Sequence, residues 1–385
     1  MSADSQYDLI IVGAGPSGLS TALHLAKVAP ELVGRTLILE KARHPRPKLC
    51  GGALVVDAEI ILERLGLDVS EIPHVDARTA HFNYGDHGLA IRLLRGRTLR
   101  LIRRDEFDAW LASKARARGF AILEGVTVRD VTSTEAGVRV ETDRGEYIAR
   151  VVVGADGSNG VVRRCVFPKA PIYTARTIEV LAPPNDRDNH GANDAYFDFF
   201  PVPKSIAGYT WDFPTQVSGR PMRVWGIYDA NLFESAKRTP LKELLSAEMA
   251  RHGYRLEDCE IKGYPIRWFD PFNPFSVKGI LLVGDAAGAD SIFGEGISMA
   301  LGYGRIAAQA LRAAFKKDDF SFRDYRLRLT LSPLGQALTV RWLITYVLFS
   351  LQWGWIQFLI WRIFQPFVYL TSMIFVINWA WRSKK

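Results

Sequence analysis

Runs and alternations divide this chain before any chemistry is considered. Residues 7–12 (YDLIIV) form an apolar run with no breaker, the pattern of a strand buried in a parallel sheet. Residues 36–40 (TLILE), 147–154 (YIARVVVG) and 279–283 (GILLV) read as further strands. Residues 19–28 (LSTALHLAKV) repeat at helical period. Residues 101–119 give a strand end and then an amphipathic helix with Phe107, Trp110, Leu111 and Ala115 on one face. At 208–214 (GYTWDFP) the period drops to two, which puts Tyr209, Trp211 and Phe213 on one face of a strand. Core packing of a sheet and the wall of an apolar pocket both fit that stripe.

The last fifty residues differ from the rest. Positions 342–361 are 20 residues without a charge, 363–381 are 19 more, and six of the ten tryptophans lie here. Two spanning helices fit the length, but only 362–366 is left for a turn, and the second run then becomes too short. Tryptophan and tyrosine also favour the interface over the bilayer centre. The expectation is therefore a pair of in-plane or shallowly inserted helices, with Arg341, Arg382, Lys384 and Lys385 on anionic headgroups. A hydrophobic dimer interface is the other reading.

Composition narrows the class. Apolar residues are 48% and charged residues 23% of 385, ordinary globular usage, and the length allows two domains sharing one ligand. Cys50, Cys165 and Cys259 are odd in number and widely spaced, which argues against a disulfide framework and for a reducing compartment. No ligand spacing of cysteine and histidine occurs, so no metal site is expected. The first residues have neither a basic start nor an apolar h-region, so no signal peptide is expected. The formal charge of +8 is scattered without a recognition motif, which disfavours nucleic acid and leaves an anionic membrane surface.

The strand ends carry the chemistry. Gly13-Ala14-Gly15-Pro16-Ser17-Gly18 joins the first strand to the first helix. Gly13 makes a tight turn, Gly15 admits a pyrophosphate, and Gly18 lets helix and strand pack closely. The helix start faces the phosphates. Glu40 ends the next strand, 22 residues after Gly18, where a carboxylate accepts from a ribose diol. The loop alone fits FAD and NAD alike. Asp156-Gly157 and Gly284-Asp285 end two more strands, where open α/β sheets bind ligands. No second GxGxxG follows a strand, so no separate nicotinamide domain is expected, and a redox function would draw its reducing equivalents from transient NAD(P)H docking or from a reduced redox protein.

With these motifs in this order, residues 7–315 resemble the flavoprotein group of para-hydroxybenzoate hydroxylase-like monooxygenases, flavin halogenases and geranylgeranyl reductases. Two features resemble the reductase branch. Gly288 follows Gly-Asp-Ala-Ala where the monooxygenases usually have His, and Tyr-x-Trp-x-Phe-Pro is matched at Tyr209, Trp211, Phe213 and Pro214. Ile206 and Ile292 stand where that branch often has proline. Lys-x-Cys-Gly-Gly at 48–52 also resembles a reductase motif.

The resemblance implies FAD held by Gly13, Gly15, Pro16, Ser17, Gly18, Glu40, Lys41, Cys50, Gly51, Gly52, Arg104, Val126, Asp156, Gly157, Gly284, Asp285, Gly294, Glu295, Gly296 and Ile297. Gly51 and Gly52 would lie flat near the isoalloxazine, and residues 294–297 would point N–H groups at its pyrimidine. Tyr209, Trp211 and Phe213 are the substrate-channel candidates. Cys50 is either a flavin-adjacent functional residue or an inert buried thiol.

The expected architecture is α/β: a Rossmann-type FAD domain (1–75, 100–170, 270–330), an inserted antiparallel-sheet substrate domain (76–99, 171–269) and membrane-associated helices (331–385). The expected activity is saturation of C=C bonds in a prenyl or other lipid chain at the cytoplasmic side of a membrane. The rivals are an oxygen-dependent monooxygenase of a hydrophobic substrate and a membrane flavoprotein passing electrons to quinone. Because the FAD motifs end by about residue 311, a chain stopping near Ser332 is expected to fold and keep its flavin.

Overall fold

In the computed structural model, residues 5–48, 50–85, 87–93, 96–233, 239–373 and 378–383 are described. The apolar runs stand side by side in one sheet, ordered Ser276–Val277, Ile280–Leu282, Gly145–Gly154, Ser5–Val12, Thr36–Glu40, Ala121–Glu124. From Ile280–Leu282 onward all neighbours are parallel. Leu9, Ile10 and Ile11 are fully buried, as expected of a strand covered on both faces. The helix Pro16–Val28 packs along Ile297–Lys317. The helix Arg104–Ala117 buries Phe107, Trp110, Leu111 and Ala115, the face read from its period.

A second, seven-stranded sheet runs Lys262–Arg267, Thr174–Ala182, Arg220–Asp229, Gly208–Val217, Asp194–Asp198, Thr79–Tyr84, His87–Ile91. All its pairings are antiparallel except Asp194–Asp198 with Thr79–Tyr84. A short third sheet joins Ala53–Leu54, Leu99–Ile102 and His74–Ala77. Period two sorts the large sheet's side chains. Tyr209, Trp211, Phe213, Val224 and Tyr228 share one apolar cluster. Trp225, Ile227 and Val180 belong to another, covered by Leu244, Leu245 and Met249 of the helix Leu241–Arg251.

The C-terminal segment is built into these layers. Its helices are Pro333–Ser350, Gly354–Arg362 and Gln365–Thr371. Ser332 caps the first by accepting from the Gly335 N–H at 3.1 Å, with Pro333 at the first helical position. Leu334 and Leu338 join the core of the parallel sheet, while Phe349 and Trp361 join the cluster of the aromatic stripe. Trp361 stacks on Phe199 at 4.4 Å. Gln357, fully buried, donates to the Leu348 and Leu351 carbonyls and closes the break between two helices. Farther on, the Asn378 and Ala380 N–H groups donate to Asp57 at 3.1 and 2.7 Å.

This packing differs from the expectation that the chain up to Ser332 folds alone. The cause is long-range burial, which an unpatterned apolar run does not display. Arg341 is not a headgroup contact: it is buried and paired with Glu295. Lys384 and Lys385 lie outside the described residues. Among the described residues no helix is long and apolar enough to cross a membrane.

Candidate functional site

One cavity of about 900 Å³ runs from the C-terminal ends of the parallel strands, past the 50–52 loop, to the aromatic stripe and the C-terminal helices. That is near the upper end for ligand pockets, which reach about 1,000 Å³.

At the polar end, Gly13 (φ 107°) turns the chain, and a Cβ there would overlap the Ala155 carbonyl. Gly15 has ordinary extended backbone, and a Cβ there would meet only Arg46, at 3.6 Å, so this position faces the cavity. Pro16 and Ser17, at the helix start, also line it. Gly18 and Gly284 pack instead against the Gly13 carbonyl and the Ser17 side chain. Glu40 accepts from the Ala14 N–H at 2.8 Å and the Ala42 N–H at 3.0 Å and stays buried at the rim. Lys41 and Val126 line the same end. Asp156 accepts from the Val162 N–H at 2.9 Å, while its Oδ1 is buried with no partner among the described residues. Asp285 and Gly157 lie beside it along the wall.

Cations gather at the middle. Arg104 is held by both oxygens of Asp108, at 2.9 and 3.0 Å. Burial opposes its charge, but the adjacent Asp108 carboxylate more than compensates and raises its pKa. Lys48 lies 3.0 Å above the Tyr264 ring, and burial lowers it to about 8. Burial pushes the Cys50 thiol up, so it stays neutral near pH 7; its Sγ accepts from the Gly52 N–H at 3.4 Å. A Cβ on Gly51 would come within 3.1 Å of both the Phe213 ring and Trp211 Nε1. The cysteine loop therefore lies directly on the aromatic stripe.

Tyr209, Trp211 and Phe213 all face the cavity, with Phe197, Phe199 and Tyr228 around them. Tyr209 donates to the Phe293 carbonyl at 2.6 Å. Ile344, Leu348, Ile360 and Val368 close the other side. Asp290 shapes the glycine loop: it accepts from the Phe293 and Gly294 N–H groups at 3.1 and 2.8 Å, and from the Tyr228 hydroxyl. Burial raises its pKa to about 6. Ile292 adopts φ 57°, which a β-branched residue rarely does, so the missing proline is replaced by a strained turn held by its neighbours. Residues 294–297 line the cavity, and the helix Ile297–Lys317 starts there; Glu295 is bound by Ser298 and Arg341.

Glu179, Tyr228, Tyr264 and Asp290 had no place in the sequence expectations, Lys48 only one in a motif and Arg341 one at the membrane, yet all line or shape this cavity. Glu179 was legible as the one acid on the inward positions of the strand Thr174–Ala182. Arg341 had no local signal. Elsewhere, Asp188, His190 and His252 bring ligand atoms within 4.8 Å of one another, against Trp225 on the opposite face of the sheet. That group balances its charge internally. Tyr254 donates to Asp188 at 3.0 Å, and Arg223 pairs with Asp212, which also holds His190. Burial opposes protonation of His252, but Asp188 and Glu248 outweigh it and raise its pKa to about 9.

A helix start facing a cavity, an acid at the second strand end, an unpartnered Asp156 oxygen and lining cations fit a dinucleotide cofactor. Residues 6–301 match the family model of the FAD binding domain. The chain belongs to that family and is an FAD-dependent oxidoreductase. Within it the likeness is to geranylgeranyl reductases. A digeranylgeranylglycerophospholipid reductase of Thermoplasma volcanium is 29% identical over 82% of this chain and 80% of its own length. A geranylgeranyl diphosphate reductase of Rhodobacter capsulatus is 28% identical over 81% and 76%. A solved geranylgeranyl bacteriochlorophyll reductase-like protein of Thermoplasma acidophilum, 22% identical, shares the fold with a TM-score of 0.76 over 90% of this chain and 89% of that one.

Proposed function

We propose that this protein saturates C=C bonds of a prenyl-type lipid chain at a membrane surface, drawing electrons from NAD(P)H or a reduced redox protein. The observation that carries the reading is the shape of the cavity: a polar, cation-lined arm suited to FAD opens into an apolar arm walled by Tyr209, Trp211, Phe213 and the C-terminal helices. Bound and reduced, FAD supplies a hydride. The protein's share is to hold an apolar chain against the 50–52 loop and to exclude water from it. The names of the two reductase relatives support a prenyl substrate.

The surface supports the membrane part. Leu343, Val347, Trp353, Trp355, Ile363, Phe364, Phe367 and Leu370 are all exposed on the helices that wall the apolar arm, with Arg362 among them. Exposed apolar side chains this dense beside an apolar cavity favour peripheral or monotopic seating on the cytoplasmic leaflet. On this reading detergent releases the protein from membranes and moderate salt does not.

The activity is tested anaerobically with geranylgeranyl lipids. The product should gain two hydrogens per bond, and Trp211→Ala should cut turnover of long chains at least about tenfold more than short ones, a pocket loss of ~1.4 kcal/mol, with FAD retained. A product carrying oxygen, formed only in air, would support the monooxygenase reading. Equal losses for long and short chains would mean that Trp211 only packs the core.

A further inference from the structure

Glu179 is a carboxyl with no structural task equal to its burial. It sits at an inward position of the strand Thr174–Ala182, 8% exposed, on the wall of the cavity. Its Oε1 accepts from the Cys50 N–H at 3.1 Å, which fixes the side chain against the cysteine loop. Its Oε2 is buried and has no hydrogen-bond partner among the described residues. In the sheet register Glu179 lies opposite Gly226, which in turn lies opposite Trp211. The Trp211 ring occupies the space above Gly226, so the indole and the carboxyl are neighbours in one row. The Trp211 Nε1 is likewise buried without a partner, and it points at Gly51. Two unsatisfied polar atoms thus flank the Cys50–Gly51 segment on the cavity wall.

We propose that Glu179 Oε2 holds the proton delivered to the substrate alkene. This role rests on the reading of the protein as a prenyl reductase. Saturating a C=C bond breaks one π bond and forms two C–H bonds. One carbon takes a hydride from the reduced flavin, which NAD(P)H or a redox protein replenishes. The other carbon takes a proton from Glu179, which is left as a carboxylate and regains its proton from water.

An acid for that step must be neutral near physiological pH, fixed in place, and in contact with the cavity. Cys50 is neutral there as well, but a buried thiol with a raised pKa is a weaker acid than this carboxyl. Burial raises Glu179 to about 7. The Cys50 N–H and the charges of Arg103, Lys262 and Lys48, which face it from the neighbouring elements, act in the opposite direction without cancelling that effect. The proton-bearing form is the active one, so turnover is full below about pH 7 and falls as pH rises through that value.

The test compares the wild-type holoenzyme with Glu179→Gln, which keeps an acceptor for the Cys50 N–H but carries no acidic proton. Turnover of a geranylgeranyl lipid should fall at least about 100-fold, the lower end for loss of general acid catalysis. The alkaline limb of the pH profile should disappear, while flavin content and flavin reduction by dithionite stay unchanged. Infrared difference spectra of the wild type, with no substrate present, should show a protonated carboxyl titrating near pH 7 that is missing in Glu179→Gln. If the wild type saturates the lipid and the variant equals it in rate and pH profile, the role is overturned while the function stands. If no such carboxyl titrates, the role is overturned whatever the function. If the wild type saturates no prenyl lipid, the functional reading and the role fall together.

Discussion

A chain ending at Ser332 should not fold into a stable flavoprotein. Leu334, Leu338, Phe349, Trp361 and Trp379 are buried in the two main cores, and Arg341 neutralises Glu295 in the loop that begins the last core helix. Each large apolar side chain contributes about 1.5–3 kcal/mol when buried. Losing five removes on the order of 10 kcal/mol, comparable with the whole stability of a domain at about 5–15 kcal/mol. Expression should yield aggregated or flavin-free protein. A milder change separates core from anchor: replacing the exposed Trp353, Trp355 and Phe367 with serine should leave flavin content and melting temperature nearly unchanged and lower the membrane-bound fraction. A soluble, yellow chain ending at Ser332 would show that these helices are an appendage.

Gly15→Val should give folded, colourless protein. The backbone at Gly15 is open to any residue, and an added Cβ meets only the Arg46 guanidinium, so a side chain there points into the cavity rather than the core. There it takes the place of the cofactor's phosphates. Gly13→Ala should behave differently. Its positive φ and the Ala155 carbonyl leave no room, so the main sheet itself is strained. Circular dichroism and the flavin spectrum together distinguish the cases. A Gly15→Val variant with full flavin content would remove the first loop from the site.

These contrasts show what the sequence could and could not carry. The strand–loop–helix at residues 5–28 was legible because its period, glycine spacing and acidic partner are all local. The stripe at Tyr209, Trp211 and Phe213 was legible as a face, since period two settles which side chains share it. What that face looks into was not. The second wall comes from residues more than a hundred positions later, and nothing in an uncharged run says whether it meets lipid or another part of the chain. Here Phe349 and Trp361 turn inward against the rest of the chain, while Trp353 and Trp355 turn outward. Arg341 looked like a surface cation and is a buried partner of Glu295. Ion pairs across 46 residues leave no periodic trace.

If one cavity brings reduced FAD and an alkene chain together, the reaction needs no oxygen. The holoprotein is reduced with dithionite under anaerobic conditions, freed of excess reductant, and mixed with a geranylgeranyl lipid. The oxidised flavin spectrum should return and one C=C bond should be saturated per flavin, with a mass gain of two hydrogens. A flavin that stays reduced until air is admitted, with the lipid unchanged or oxygenated, would contradict it.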